Sequence, residues 1–266
     1  MAPAWSPDGQ RLVFTGYDGG LSDLFIVNIN GSGLTRLTHD KYADLNPVWS
    51  PDGKAIAFAT DRGPGTDFAK LLIGNTRIAL LDIATGRIDG LPGMELGTNR
   101  SPQWSPDGQS IAFVSDRNGV SDIYLYELAD QKTYPITDLY TGAQGITPLS
   151  PVLSWAKDAD RLAFVYYSRD RYDVYGIDNP RGLKREPWVA PLLARRDSAM
   201  GPIGVLNPPD SNGVVTGYTP IAPADTARRA VPRDTIAARG DPLEATGSLY
   251  VNGNRCHGSS VASGVT

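Results

Sequence analysis

The chain has 266 residues, 41% of them hydrophobic, and carries a formal net charge of −4. That length suits one large all-β domain or two small domains, and the charge supplies no basic stripe for nucleic acid and no cationic face for an anionic membrane. The single Cys256 excludes an internal disulfide, and no apolar run reaches the roughly 18 residues that a membrane-spanning helix needs.

The N-terminus, Met1-Ala2-Pro3-Ala4-Trp5, lacks the basic stretch and apolar core of a signal peptide. A repeat starts there at once, so part of the protein is expected upstream. The repeat is Trp5-Ser6-Pro7-Asp8-Gly9-Gln10, then Trp49-Ser50-Pro51-Asp52-Gly53-Lys54 and Trp104-Ser105-Pro106-Asp107-Gly108-Gln109. A degraded copy is Trp155-Ala156-Lys157-Asp158-Ala159-Asp160. The tryptophans are 44, 55 and 51 residues apart, and each has a Phe nine residues on: Phe14, Phe58, Phe113 and Phe164. Asp23, Asp122 and Asp173 hold a further common register, each followed by an apolar and then an aromatic residue.

Within a repeat, Ser-Pro-Asp-Gly has the residues of a tight turn. Pro presets φ at the first central position, and Gly accepts positive φ. The turn joins two antiparallel strands. In the second of them, Ile56 and Phe58 alternate with Ala57 and Ala59, so both faces are apolar. That pattern asks for cover on both sides, with bulk on one sheet meeting alanine on the next. A third strand follows, such as residues 123–128, and a short outer strand such as 133–137 closes the unit; its Pro135 suits an edge. Four antiparallel strands in about 40 to 45 residues make a propeller blade. The expected fold is all-β: a partial or open β-propeller of about four blades, at 2–40, 46–98, 101–140 and 151–189. A Pro/Ala/Gly-rich linker or disordered tail at 190–266 follows, with one isolated strand around residues 247–251.

Two stretches depart from the repeat. About ten residues are inserted in the second blade, within 63–75, with an apolar centre from Phe68 to Ile73. Either these residues fold back on the blade or they form a contact surface, since loops carry function more often than strands. Phe68, Lys70, Leu71 and Leu72 are the candidates there. Arg117, Asn118 and Arg169, in the matching loops of later blades, complete the candidate protein-contact set. The other departure is a longer link, residues 139–153, to which no role is assigned.

No catalytic constellation is found. His39 and His257 are the only histidines, Gly-x-Ser-x-Gly is absent, and so are His-Glu-x-x-His, Cys-x-x-Cys and EF-hand patterns. His39 reads as a surface loop residue. The recurring aspartates obey the repeat, which points to a structural job such as accepting backbone N–H groups, and Arg62, Arg117 and Arg169, each beside an Asp in a loop after the second strand, recur in the same way. No catalytic, metal or cofactor-binding residue is assigned.

The turn, the Ile-Ala-Phe strand after it, the Ser-Asp-Arg-Asn-Gly loop and the Asp-Ile-Tyr that follows resemble the TolB-type propeller repeat, the Pro-Asp relative of the WD repeat. The resemblance covers residues 2 to about 189. It implies a propeller of about six or more blades, a periplasmic or cell-envelope location, and a protein-binding platform that inserts into no membrane. The partners implied are a protein or peptide and the missing blades or neighbouring domains of the full-length chain. The alternative is the substrate-gating propeller of a prolyl-oligopeptidase-like serine peptidase, its catalytic domain outside this chain. A weaker likeness, carried by residues 74–82 and 175–179, is to bacterial proteins that set this propeller between a peptidase-like domain and an outer-membrane barrel.

Overall fold

Each Ser-Pro-Asp-Gly tetrad closes a hairpin through one compact network. Gly53 N–H donates to Ser50 O at 3.0 Å, with Gly53 at φ 70°. Ser50 Oγ donates to Asp52 at 2.6 Å and accepts the Ala55 N–H at 3.0 Å, and Asp52 also accepts the Lys54 N–H at 3.1 Å. Ser6 and Ser105 repeat these contacts with Asp8 and Asp107. The serine therefore ties the turn to the second strand, and only Gly takes the last turn position without strain. In the fourth copy, backbone bonds between Ala156 and Arg161 and between Arg161 and Ala159 do the work alone.

The computed structural model describes residues 2–147, 150–168 and 170–190, together with the backbone of residues 205–206, 218–219, 248–251 and 254–259. Blade 1 is β1 (Ala4–Trp5), β2 (Arg11–Asp18), β3 (Leu21–Asn28) and β4 (Thr35–Arg36). Blade 2 is β5 (Asp44–Trp49), β6 (Ala55–Thr60), β7 (Arg77–Asp82) and β8 (Ile88–Gly90). Blade 3 is β9 (Asn99–Trp104), β10 (Ser110–Ser115), β11 (Asp122–Glu127) and β12 (Lys132–Pro135). All three are antiparallel meanders in chain order, and the Phe positions pair across the middle strands: Phe14 with Phe25, Phe58 with Ala79, and Phe113 with Tyr124.

Blade 4 starts the same way, with β13 (Leu153–Trp155), β14 (Arg161–Ser168) and β15 (Arg171–Asp178). Its outer strands do not come from residues 179–189, where the repeat placed them. Those residues form a 3-10 turn, Pro180–Leu183, and run on to Trp188 without a strand. The outer positions are filled by β18 (Ser248–Val251) and β19 (Asn254–Ser259), a hairpin whose β19 pairs with β15. The strand expected near residue 250 is thus observed, but paired and not isolated. Two further short strands, β16 (Val205–Leu206) and β17 (Tyr218–Thr219), form a ribbon in a separate compact unit, Val189–Gly240. The remainder of the expected linker lies outside the described residues.

The core follows from the alternation in each second strand. Ile56, Phe58, Leu81 and Trp49 of blade 2 pack on Val13 and Leu24 of blade 1. Ile111, Phe113, Tyr124 and Tyr126 of blade 3 pack on Ala57, Ala59 and Ile78 of blade 2. Leu162, Phe164, Tyr175, Ile177 and Trp155 of blade 4 pack on Ala112, Val114, Ile123 and Leu125 of blade 3. At each joint the aromatic side chains of one blade meet aliphatic side chains of the other, with Ala57 and Ala59 of blade 2 and Ala112 of blade 3 the smallest of them. No such cluster joins blade 4 to blade 1 among the described residues. Trp5 is consequently 50% exposed where Trp49 is 4% exposed, and Val174 of blade 4 is 47% exposed.

Candidate functional site

The loop between the second and third strands ends one edge of every blade, and in blades 2 and 3 it carries an arginine thirteen residues after the blade's tryptophan. In blade 2, Arg62 is ion-paired to the buried Asp44 and to Asp40, with Arg62 Nη1 also 2.7 Å from Thr60 Oγ1. Its guanidinium carbon sits 5.3 Å from the Tyr42 ring centre and 5.8 Å from that of Phe58. Burial pulls the Arg62 pKa down, but the two carboxylates outweigh it and the net shift is upward, so the arginine is held as a cation.

Blade 3 has the same framework with one change. Asn99 stands where Asp44 stands, five residues before the tryptophan. Asn99 Nδ2 faces the carbonyls of Thr76, Met94 and Gly97 at 3.0 to 3.1 Å, a place where a carboxylate would be repelled. Its Oδ1 accepts from Arg117 at 2.7 Å, and Arg117 Nε donates to Ser115 Oγ at 3.0 Å. Arg117 forms no ion pair among the described residues. Its Nη1 is buried without a hydrogen-bond partner, and so is the Tyr124 hydroxyl. Three rings surround the guanidinium carbon: Phe113 at 5.2 Å, Tyr124 at 4.9 Å and Trp188 at 4.8 Å. Burial pushes the Arg117 pKa down to about 10, and cation–π attraction offsets part of the desolvation. Asn118 accepts the Trp188 indole N–H at 2.8 Å.

The insert is a small closed loop. Asp67 and Leu72 exchange two backbone hydrogen bonds, both 2.9 Å, and the Asp67 carboxylate accepts the Ala69 N–H at 3.0 Å and pairs with Lys70 at 2.8 Å. Its neck is Gly65 against Gly74, where a Cβ on Gly74 would lie 2.9 Å from the Gly65 carbonyl carbon. Phe68 turns inward onto Tyr42, ring centres 5.3 Å apart. Leu71, Leu72 and Ile73 stay 85%, 54% and 63% exposed, with Leu71 at a left-handed φ of 55°. Three consecutive exposed aliphatics are an unusual tip for a loop that is otherwise well bonded.

The candidate residues thus fall into two groups. Phe68, Lys70, Leu71 and Leu72 belong to the insert beside the Arg62 site, while Arg117 and Asn118 lie under Trp188 on blade 3. No hydrogen bond, ion pair or ring contact joins the two groups among the described residues, and Arg169 lies outside those residues. The recurring aspartates have structural partners: Asp122 accepts from Thr137 Oγ1 and from the Leu139 N–H, both 2.8 Å, and Asp23 accepts from Thr38 Oγ1 at 3.1 Å. Sequence reasoning missed Asp44, Asn99 and Trp188. The shared offset before the tryptophan could have found the first two. No group of three or more His, Cys, Asp or Glu side chains is placed to hold a metal ion among the described residues, and no helix there is long and apolar enough to cross a membrane.

Three four-stranded blades opened by a Ser-Pro-Asp-Gly hairpin, and a fourth whose turn is the degraded copy, stack face to face as the blades of a β-propeller. Residues 1–69 match the TolB beta propeller domain family. A TolB homolog of Chlorobium luteolum is 31% identical over 133 residues, covering 50% of this chain and 28% of that protein. The TolB structure from Acinetobacter baumannii superposes with a TM-score of 0.55 at 22% identity, covering 67% of this chain and 40% of that one. A TolB structure from Agrobacterium tumefaciens gives 0.54 at 24% identity, covering 67% and 61%. The same fold appears in a puromycin hydrolase, TM-score 0.50 at 19% identity, covering 80% and 32%. The chain therefore spans less than two thirds of each of these proteins.

Proposed function

We propose that the chain is part of a non-enzymatic propeller scaffold that binds a protein partner in the bacterial cell envelope, a reading supported by its likeness to TolB proteins. The observation that carries this reading is the insert. Leu71, Leu72 and Ile73 are exposed on a loop braced by Asp67, the Gly65–Gly74 neck and the Phe68–Tyr42 contact. A preorganised apolar tip binds with little ordering cost. The other members of the proposed surface, Arg117 and Asn118, act through the groove described below. The uncovered faces of blades 1 and 4 take further blades of the full-length protein.

The test is affinity capture from an envelope extract with the chain and with its Leu71→Asp/Leu72→Asp form. A defined partner retained by the first and lost by the second is expected. Identical captures would remove the insert from the function. An α/β-hydrolase domain encoded after the last blade of the full-length gene would replace the scaffold reading with that of a peptidase's gating propeller.

A further inference from the structure

After blade 4 the chain doubles back over blade 3. Arg181 bridges the turns of two blades, paired to Asp107 and, at 3.0 Å, to Asp160, and Lys184 pairs with Glu127 at 2.9 Å. Next, the Arg185 N–H donates to Pro135 O at 3.4 Å and the Trp188 N–H to Thr133 O at 2.7 Å. Both acceptors lie on the outer edge of β12, so the strap is hydrogen-bonded to that edge at two points without forming a strand of the sheet. The indole completes the attachment. It stacks on Arg117, donates to Asn118 and packs against the core shared by blades 2 and 3.

This strap fills the site incompletely. It supplies an aromatic ring and two backbone donors, yet Arg117 Nη1 and the Tyr124 hydroxyl stay buried without partners. Leaving such groups unpaired is costly, most of all a guanidinium. Blade 2 shows what the same arginine position takes when it is complete, since Arg62 holds the carboxylates of Asp44 and Asp40. Asn99 supplies only a neutral amide oxygen, which meets Nη2 at 2.7 Å and leaves Nη1 without a partner.

We propose that the free edge of β12 and the Arg117 cage form a peptide-binding groove, occupied in cis by residues 184–188, whose better occupant in trans is an extended segment with an aromatic side chain beside a carboxylate. This rests on the protein-binding reading above and names the chemistry recognised at one of its surfaces. Capture through the insert is independent of it, so either can fail alone.

The test uses the full chain. The probe is a fluorescein-labelled Lys-Arg-Glu-Pro-Trp peptide, the sequence of residues 184–188, with its C-terminus either a free acid or an amide. In the Trp188→Ala chain the cis indole no longer competes, so the acid peptide binds about tenfold tighter than to the unaltered chain. The acid binds about fivefold tighter than the amide, the worth of a charge-assisted bond, and adding Arg117→Gln abolishes that preference. Absence of binding to a folded Trp188→Ala chain, or equal binding of acid and amide, overturns the proposal. If Trp188→Ala does not fold, Arg181→Gln removes the strap's pairs to Asp107 and Asp160 and leaves the cage residues in place. Tighter acid binding than by the unaltered chain is then expected, and unchanged binding overturns the proposal.

Discussion

Asp122 offers a direct measure of how dry the blade interior is. Its carboxylate is 5% exposed, and one oxygen accepts both the Thr137 hydroxyl and the Leu139 N–H at 2.8 Å. Two donors lower a carboxylate pKa, but here burial dominates and pushes it up to about 6. The folded state therefore holds the proton more tightly than the unfolded chain, whose Asp titrates near 4. The stabilisation from this group is fully present below about pH 4 and is lost as pH rises through about 6, a difference of about 3 kcal/mol at 1.4 kcal/mol per pH unit. Asp122→Asn keeps an acceptor oxygen for both donors and cannot ionise. Relative to the unaltered chain it should gain about 1 to 3 kcal/mol between about pH 4 and about pH 7.5. The exposed turn carboxylates shift the other way, Asp52 being held low by the Ser50 hydroxyl and Asp8 by Ser6. Both proteins share them, so they cancel in the comparison. Guanidinium chloride unfolding of the two proteins at both pH values reads the effect. A stability difference that does not change with pH would refute the reasoning, because it would mean that Asp122 is solvated in the folded blade.

Two further outcomes test the packing and the insert. Phe58→Ala should destabilise by about 3 to 5 kcal/mol and Phe14→Ala by about 1 to 2, because Phe58 is fully buried between blades while Phe14, at the same register, has no blade on its outer face among the described residues; equal losses in denaturant melts would show that something covers blade 1. Gly74→Ala should open the neck of the insert, since the new Cβ meets Gly65 backbone at 2.9 Å; faster tryptic cleavage at Lys70 with an unchanged melting temperature is expected, and unchanged cleavage would mean that the neck does not hold the loop shut.

What could be read from the residues was whatever the repeat states locally. The tetrad names its own turn, the Phe and Ala alternation names both faces of the second strand, and the recurring Asp proves to be an acceptor, as at Asp122. Within the insert, Phe68 packs back on Tyr42 while Leu71 to Ile73 stay exposed, a split that the apolar run 68–73 does not announce. What escaped was non-local. The pairing of β19 with β15 joins residues about eighty positions apart, and no window of sequence contains both. Trp188 looked like the end of a blade because its partners, Arg117, Asn118 and Thr133, lie some 55 to 70 residues earlier. Arg117 was legible as a candidate contact residue, but its repeat register gave no sign that it differs from Arg62. Only the exchange of Asp44 for Asn99 makes it different, and that exchange has meaning only once both are seen to face an arginine.

The same packing rule that builds the three internal joints also fixes what can cover the two outer faces. Blade 1 presents Leu12, Phe14 and Phe25, the bulk half of a joint, with the two rings stacked 5.8 Å apart and Trp5 half exposed beside them. Blade 4 presents Ala163, Val165, Val174 and Gly176, the small half. Bulk on bulk would leave voids, and small on small would leave a gap, so neither face can pair with its own kind at native density. By the pattern of the internal joints, what docks on blade 1 offers small residues on its second strand and aliphatics on its third, and what docks on blade 4 offers aromatic side chains flanked by a Trp. The two faces are complementary to each other, which gives propagation along the blade stack a direction: each added blade re-creates the face that the next one needs.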